Sequence, residues 1–294
     1  MKDFKDKIKP HLFILPSLLV FAIFMFWPLI RTFYLSFFSW NMVKPTKEFV
    51  GLDNYIQIFT DPTTYKIMGN TLIYIIILLV LNFVAPYILS FILSIVIKRG
   101  KGFYKSVIFL PSVISLVVGS ILYLFILNPI SGPAAIITKF FGLTLPVWSK
   151  TEGLVIVILS LITSWKIFGY NFIVVLAGVS GVSSEVIEAA RLDNVPMWKI
   201  FKDIILPMSS ATGIYVLIMT IVQGLQYVFT PIKVITQGGP DNASSNAIYN
   251  AYQEAFVLYK TGTASAFAII TMVLFIALLV LEFKYVEKGV YYEN

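Results

Sequence analysis

A polytopic, all-α membrane protein with six transmembrane helices is the fold class this sequence predicts, and three observations carry it. The 294-residue chain is 58% hydrophobic and only 13% charged, with a mean hydropathy of +0.87. It holds 25 Phe and 16 Tyr but no cysteine. Its apolar residues gather into runs of about 20 residues, the length a helix needs to cross a hydrocarbon core of about 30 Å.

The runs lie near Leu12–Phe38, Gly69–Ile97, Ser106–Leu127, Gly153–Val179, Met208–Thr230 and Ala264–Phe283. Six spans leave little chain for a soluble domain, so residues 1–294 read as a single transmembrane domain. The first run is too long for a secretory leader, and no small-residue cleavage site follows it. The absence of cysteine excludes disulfides, a thiol nucleophile and Cys-type metal sites.

Orientation follows from the basic residues. With six spans, Lys2, Lys5, Lys7 and Lys9 share a side with Lys98–Lys105, with Arg191, Lys199 and Lys202, and with Lys284 and Lys288. That side carries thirteen Lys and Arg against seven on the other (Lys44, Lys47, Lys66, Lys139, Lys150, Lys233 and Lys260). The positive-inside rule places both termini in the cytoplasm. The net charge of +7 is this bias and gives no reason to invoke nucleic acid. His11, the sole histidine, precedes the first span, which leaves no basis for a metal site or a proton relay.

Proline punctuates the spans at Pro16, Pro28, Pro86, Pro111 and Pro231. Membrane helices tolerate proline, and kinks that shape a central cavity are the other reading. No inverted repeat of the secondary-transporter kind is visible between the halves.

One stretch breaks the apolar pattern. "EVIEAARLDNVPMWKIFKDIILP", Glu185 to Pro207, has the look of soluble-protein surface. A serine N-cap at Ser183 or Ser184 precedes an acidic first turn, which suits the positive end of a helix. Val186, Ile187, Ala190 and Leu192 form an apolar side, and Glu188 pairs with Arg191 at i, i+3. Asp193-Asn194 stops the helix, since Asn accepts the left-handed conformation. Pro196 suits the first turn of a second helix, whose apolar positions are Trp198, Phe201 and Ile204 or Ile205. The unit is helix, sharp turn, helix, within a loop of about 182–207.

At these residues the chain resembles the permease subunits of bacterial ATP-binding-cassette (ABC) importers. Those subunits carry E-A-A, three residues, G, nine residues, I-x-L-P. Here the match is Glu188-Ala189-Ala190, Asn194 at the glycine position, then Ile204, Leu206 and Pro207. The resemblance implies a type I ABC importer permease fold and a coupling helix seated in a cytoplasmic ATPase, with Asp193 in the same turn. "LFILPSLLVFAIFMFWPLIRTFYLSF", "FVGLDNYIQIF", "SWKIFGYNFIVVLAGV" and "TQGGPDNASSNAIYNAYQEAF" are similar to the carbohydrate-uptake branch. In the last of these, Gly238-Gly239-Pro240 makes a tight turn and Asp241 or Asn242 caps a short helix. The tail "FKYVEKGVYYEN" resembles the first permease subunit of maltose or glycerol 3-phosphate type systems.

The resemblance implies partners: a second, different permease, two ATP-binding subunits that hold ATP and Mg, and an extracytoplasmic solute-binding protein, all at the bacterial inner membrane. It places the sugar site on Lys166, Ile167, Tyr170, Thr220, Gln223, Gly224 and Tyr227. Gln226 is added because the register of the fifth span loosens by one residue. Each of these also suits interhelical packing; as a group on two facing spans they suit a wet cavity. Lys166 stands out, because an ammonium within a span costs about 2.5–3.5 kcal/mol on insertion scales. Sugar binding, a pairing with the partner permease and snorkelling are its three readings.

No metal set, aspartyl pair or Ser/Lys arrangement for an intramembrane enzyme is visible, so no catalytic or metal-ligating residue is assigned. No phosphate-binding loop ending in Lys-Ser or Lys-Thr is present, so ATP hydrolysis falls to the partners. A channel or secondary carrier has no use for the coupling unit. The expected function is import of a carbohydrate, an oligosaccharide or sugar derivative, with glycerol 3-phosphate or a glycerophosphodiester as the alternative.

Overall fold

The computed structural model describes residues 13–285, which form two compact units. One holds the described residues up to Pro62 together with Asn250–Val273; the other holds Thr63–Tyr249 and the residues from Leu274 onward. Lys2, Lys5, Lys7, Lys9, His11, Lys288 and most of the tail motif lie outside the described residues.

In the first unit, the first span (Phe13–Leu35) leads into a short antiparallel hairpin, β1 (Phe38–Ser39) with β2 (Glu48–Phe49), and then into the helix Asp53–Thr60. Asn54 is buried there and ties the unit together, its Nδ2 donating to the Ser36 carbonyl at 2.8 Å and to the Phe38 carbonyl at 3.1 Å. The Thr261 N–H donates to the Trp40 carbonyl at 3.0 Å, where the helix Thr261–Tyr285 begins. Gly262 at that point is required by packing. A Cβ there would lie 1.8 Å from the Phe38 carbonyl oxygen, far inside contact distance.

The second unit contains the remaining long helices: the second span Pro62–Val96, the fourth Leu154–Ser180 and the fifth Ser210–Thr236. The second begins seven residues before the sequence reading places it, since no helix-breaking residue separates Pro62 from Gly69. Its polar first turns meet the loop after the fifth span: Asn70 Nδ2 donates to the Asn242 carbonyl at 2.9 Å, and the Tyr74 hydroxyl donates to the Ser244 carbonyl at 2.9 Å. That loop contains the expected tight turn, with Gly238 at φ +85° and Gly239 N–H bonded to the Thr236 carbonyl. The cap of the following helix is not Asp241 or Asn242, which both take positive φ. It is Asn246, whose Oδ1 accepts from the Tyr249 N–H at 2.8 Å, because the helix starts later, at Ala247.

Most prolines are absorbed without a break. Wide, π-helical turns flank Pro28 (Ala22–Phe26 before it), Pro86 (Val80–Val84 before it) and Pro231 (Ile232–Thr236 after it). Proline donates no i→i−4 bond and its ring crowds that carbonyl, and one residue more per turn relieves the crowding.

Pro111 differs, and it corrects the expected continuous third span. Two helical segments, Lys101–Val113 and Leu116–Ile126, meet at 98° through Ile114 and Ser115, both extended. At about 1.5 Å per residue neither segment alone crosses the hydrocarbon core. Among the described residues five helices are therefore long and apolar enough to span, or six with this bent pair counted as one.

Candidate functional site

The loop after the fourth span is a helix, a left-handed turn and a second helix. Ser183 Oγ accepts from the Glu185 N–H at 3.2 Å and starts the helix Ser184–Leu192. The helix ends in a Schellman arrangement: Val195 N–H bonds to the Ala190 carbonyl at 2.9 Å and Asn194 N–H to the Arg191 carbonyl at 3.0 Å. Asn194 takes φ +55°, the left-handed conformation that the glycine of the motif adopts without strain. Pro196 is the residue before the second helix rather than within its first turn.

The apolar faces differ from the helical-wheel reading. Ile187 and Ala190 pack inward, but Leu192 is 82% exposed and Val186 also faces outward. In the second helix Ile200 and Ile205 are fully buried, while Trp198 is 60% exposed. The cause is a π-helical stretch over Ile200–Ile205, which brings residues five apart onto one face and shifts the phase. Phe201 meets Phe91 of the second span with ring centroids 5.1 Å apart. Tyr87, Phe91, Val175, Val179 and Val216 of three spans complete this core.

Arg191 does not pair with Glu188. Its Nη2 donates to the Ile95 carbonyl at 3.0 Å, and Lys101 Nζ donates to the Ser94 carbonyl at 2.8 Å. Two cations thus satisfy orphan carbonyls at the negative end of the second span. Glu188, Ala189, Asp193 and Asn194 are left on the exposed side with Leu192 and Trp198; Ile204 and Leu206 are half-buried, and Pro207 is exposed.

A second feature lies among the spans of the same unit. A groove of about 380 Å3 is lined by Phe109, Ser112, Lys166, Ile167, Tyr170, Gln223 and Tyr227. Lys166, Ile167, Tyr170, Gln223 and Tyr227 were expected together, and the fold brings them together. Lys166 serves the bend of the third span: its Nζ donates to the Ser112 carbonyl and, at 2.7 Å, to the Ile114 carbonyl. Carbonyls freed by a broken helix need partners at membrane depth, and the ammonium supplies them. Gly169, one turn on, lets the fourth span approach this bend, since a Cβ there would meet the Ile108 carbonyl oxygen at 2.7 Å.

Thr220, Gly224 and Gln226 stand apart from the groove. Thr220 is buried, accepting from Asn171 Nδ2 at 2.9 Å and donating to the Val216 carbonyl at 2.7 Å. Asn171 Nδ2 also reaches the Asn82 carbonyl at 2.7 Å, so this polar network joins the second, fourth and fifth spans. Gly224 faces Leu78 of the second span, whose Cδ1 would lie 3.1 Å from an added Cβ. Gln226 is exposed elsewhere on the fifth span. Two groove residues escaped the sequence reading, Phe109 and Ser112. The available signal was a proline flanked by serines in mid-span, Pro111 between Ser106, Ser112 and Ser115. Ser112 Oγ is buried without a hydrogen-bond partner, packed against Gly169, where an added Cβ would lie 2.6 Å from it.

At the opposite ends of the same spans, Lys66 Nζ bridges Glu152 Oε1 (2.8 Å) and Asp241 Oδ2 (3.2 Å). Among the described residues no group of three or more His, Cys, Asp or Glu is placed to hold a metal ion.

With this geometry in place, comparison with known proteins is decisive. Residues 98–291 match the family model described as "Binding-protein-dependent transport system inner membrane component". The chain belongs to this family. The matched residues of the permease include the bent third span, the loop around Glu188 and the groove. Among curated relatives, a probable ABC transporter permease protein, YurN of Bacillus subtilis (strain 168), is 30% identical over 97% of this chain and 98% of its own. The sn-glycerol-3-phosphate transport system permease protein UgpA of Agrobacterium fabrum is 29% identical over 98% of both chains. Among solved structures, a bacterial ABC transporter involved in the import of the acidic polysaccharide alginate matches at a TM-score of 0.84, with 21% identity over 98% of both chains. A second alginate transporter structure, in complex with an alginate pentasaccharide-bound periplasmic protein, matches at a TM-score of 0.81 over 96% of this permease.

Proposed function

We propose that this permease passes a carbohydrate, an oligosaccharide or sugar derivative, across the bacterial inner membrane after delivery by an extracytoplasmic binding protein. A second, different permease completes the pathway. Two cytoplasmic ATPase subunits, which hold ATP and Mg, dock on the loop around Glu188; the chain itself performs no catalysis. Both termini and that loop lie in the cytoplasm, in keeping with the Lys/Arg bias. The observation that carries the reading is the groove: aromatic rings of Tyr170 and Tyr227 and the Gln223 amide converge beside a bent span. Rings for the apolar face of a sugar and paired donors and acceptors for its hydroxyls are the chemistry such a ligand requires.

Glycerol 3-phosphate or a glycerophosphodiester is the second reading, favoured by the UgpA relatives. A carrier or channel leaves the exposed Glu188–Trp198 surface without a purpose. The test is uptake by proteoliposomes holding the whole importer, with labelled oligosaccharide or labelled glycerol 3-phosphate and with or without ATP. ATP-dependent oligosaccharide uptake that is lost in Glu188→Lys, with membrane insertion intact, is the expected result. Uptake of glycerol 3-phosphate alone selects the second reading, and uptake without ATP rejects both.

A further inference from the structure

A polar cavity lies in the unit built from the hairpin, the helix Asp53–Thr60 and the start of the last helix. It measures about 630 Å3, and its lining includes Trp40, Lys44, Lys47, Gln57, Tyr259 and Lys260. Neither the groove nor the coupling loop accounts for it. Its frame is held in place before any ligand arrives. Trp40 Nε1 donates to the Lys44 carbonyl at 2.8 Å, and Asn41 Oδ1 accepts from the N–H groups of Val43 (3.2 Å) and Lys44 (2.9 Å). The buried Asn54 and the Gly262 approach fix the opposite wall.

The cavity is cationic. Three lysines line it against one carboxylate, that of Glu48. Lys260 has a carboxylate at 4.0 Å, Glu254 Oε2. Lys47 Nζ sits 4.2 Å from the centre of the Tyr34 ring and 5.0 Å from that of Phe38. Neither Lys44 nor Lys47 has a carboxylate within ion-pair distance among the described residues, and Lys44 is exposed with no side-chain bond. A framed cavity that combines ammonium groups with an indole, a phenol and the Gln57 amide is suited to a ligand that is both a sugar and an anion: apolar ring faces stack, hydroxyls bond to amides, and a carboxylate meets lysine.

We propose that this cavity is a binding site for acidic saccharides, uronates and similar carboxylated sugars, on the extracytoplasmic side and separate from the groove among the spans. The inference rests on the carbohydrate reading above and deepens it, because it names the substrate class as anionic. On entry the saccharide is held at Lys44 and Lys47, within a lysine-rich vestibule that raises its local concentration.

The experiment uses the intact importer complex in nanodiscs, without its binding protein and without ATP. Titration calorimetry at low ionic strength follows trigalacturonate and, as the neutral counterpart, maltotriose. Trigalacturonate is expected to bind more tightly than maltotriose, to weaken about tenfold in Lys44→Glu and to recover in Lys44→Arg, with maltotriose unaffected. Lys44 is exposed, so these variants fold as the parent does. Equal binding of the two saccharides, or trigalacturonate binding unchanged in Lys44→Glu, overturns the proposal. So does a Lys44→Glu effect confined to capture of the binding protein, which would assign the lysines to protein docking. The carbohydrate reading fails separately, by absent ATP-driven uptake, whatever the calorimetry shows.

Discussion

Lys166 Nζ lies 2.7 Å from the Ile114 carbonyl oxygen, and so one ammonium of the fourth span caps the break in the third. Its other acceptor is the Ser112 carbonyl, on the near side of the same break. The charge that marked Lys166 as a sugar contact is already engaged, and it shapes the groove wall by holding the bend in place.

Lys166→Met therefore leaves two carbonyls unpaired at membrane depth, at about 1–3 kcal/mol each. We expect a marked fall in melting temperature and an equal loss of uptake for two different sugars. Lys166→Arg should recover much of both. Altered sugar preference at unchanged melting temperature would show instead that the ammonium reads the solute.

Asn194 at φ +55° sets a conformational test of the loop. Asn194→Gly is expected to be neutral or mildly stabilising. A β-branched side chain is a poor fit to the left-handed region, so Asn194→Val should open the Schellman turn and cost about 1–3 kcal/mol. The readout is copurification of the ATPase subunits with the permease, retained in the glycine variant and depleted in the valine variant.

The groove and the polar network beside it separate by substitution. Tyr170→Ala and Gln223→Ala remove groove-lining groups and should change the ratio of uptake between two sugars while basal ATP hydrolysis persists. Thr220→Val removes one of the two acceptors of the buried Asn171 amide and should lower melting temperature, with both sugars affected alike. The reverse pattern would move the solute path to the network.

Glu254 supplies a pH dependence outside the membrane. Burial pushes its carboxyl above the ordinary carboxylate range, Lys260 opposes this and Asp61 adds to it. A carboxyl whose folded pKa is raised contributes stability at low pH, below its unfolded pKa of about 4.3, and that contribution is lost as pH rises through the folded value. Glu254→Gln should accordingly raise melting temperature at pH 7.5 and flatten its change between pH 4 and pH 7.5. An unchanged pH profile in the variant would place the dependence on another group.

By itself, the sequence determined what depends on local composition and on motif. Long apolar runs can only be buried helix or membrane helix, so the unbroken spans were legible, and the spacing from Glu188 to Pro207 located the helix–turn–helix loop. Asn194 was legible as a left-handed residue because few side chains tolerate that conformation. Four groove residues were readable as polar or aromatic groups on two spans, since such groups at membrane depth need partners or water.

Tertiary structure alone decided which way each of them faces. In Leu192, Val186 and Trp198 an apolar side chain points outward, and in the second helix a π-helical stretch shifts the buried face to Ile200 and Ile205. Thr220 and Lys166 look alike in sequence, as polar residues in spans. One bonds into a network between helices, and the other caps a bend whose carbonyls exist only because Pro111 and two extended residues break the third span. Hydrogen-bond partners 49 and 52 residues apart are chosen by packing, and no local pattern in the chain records that choice.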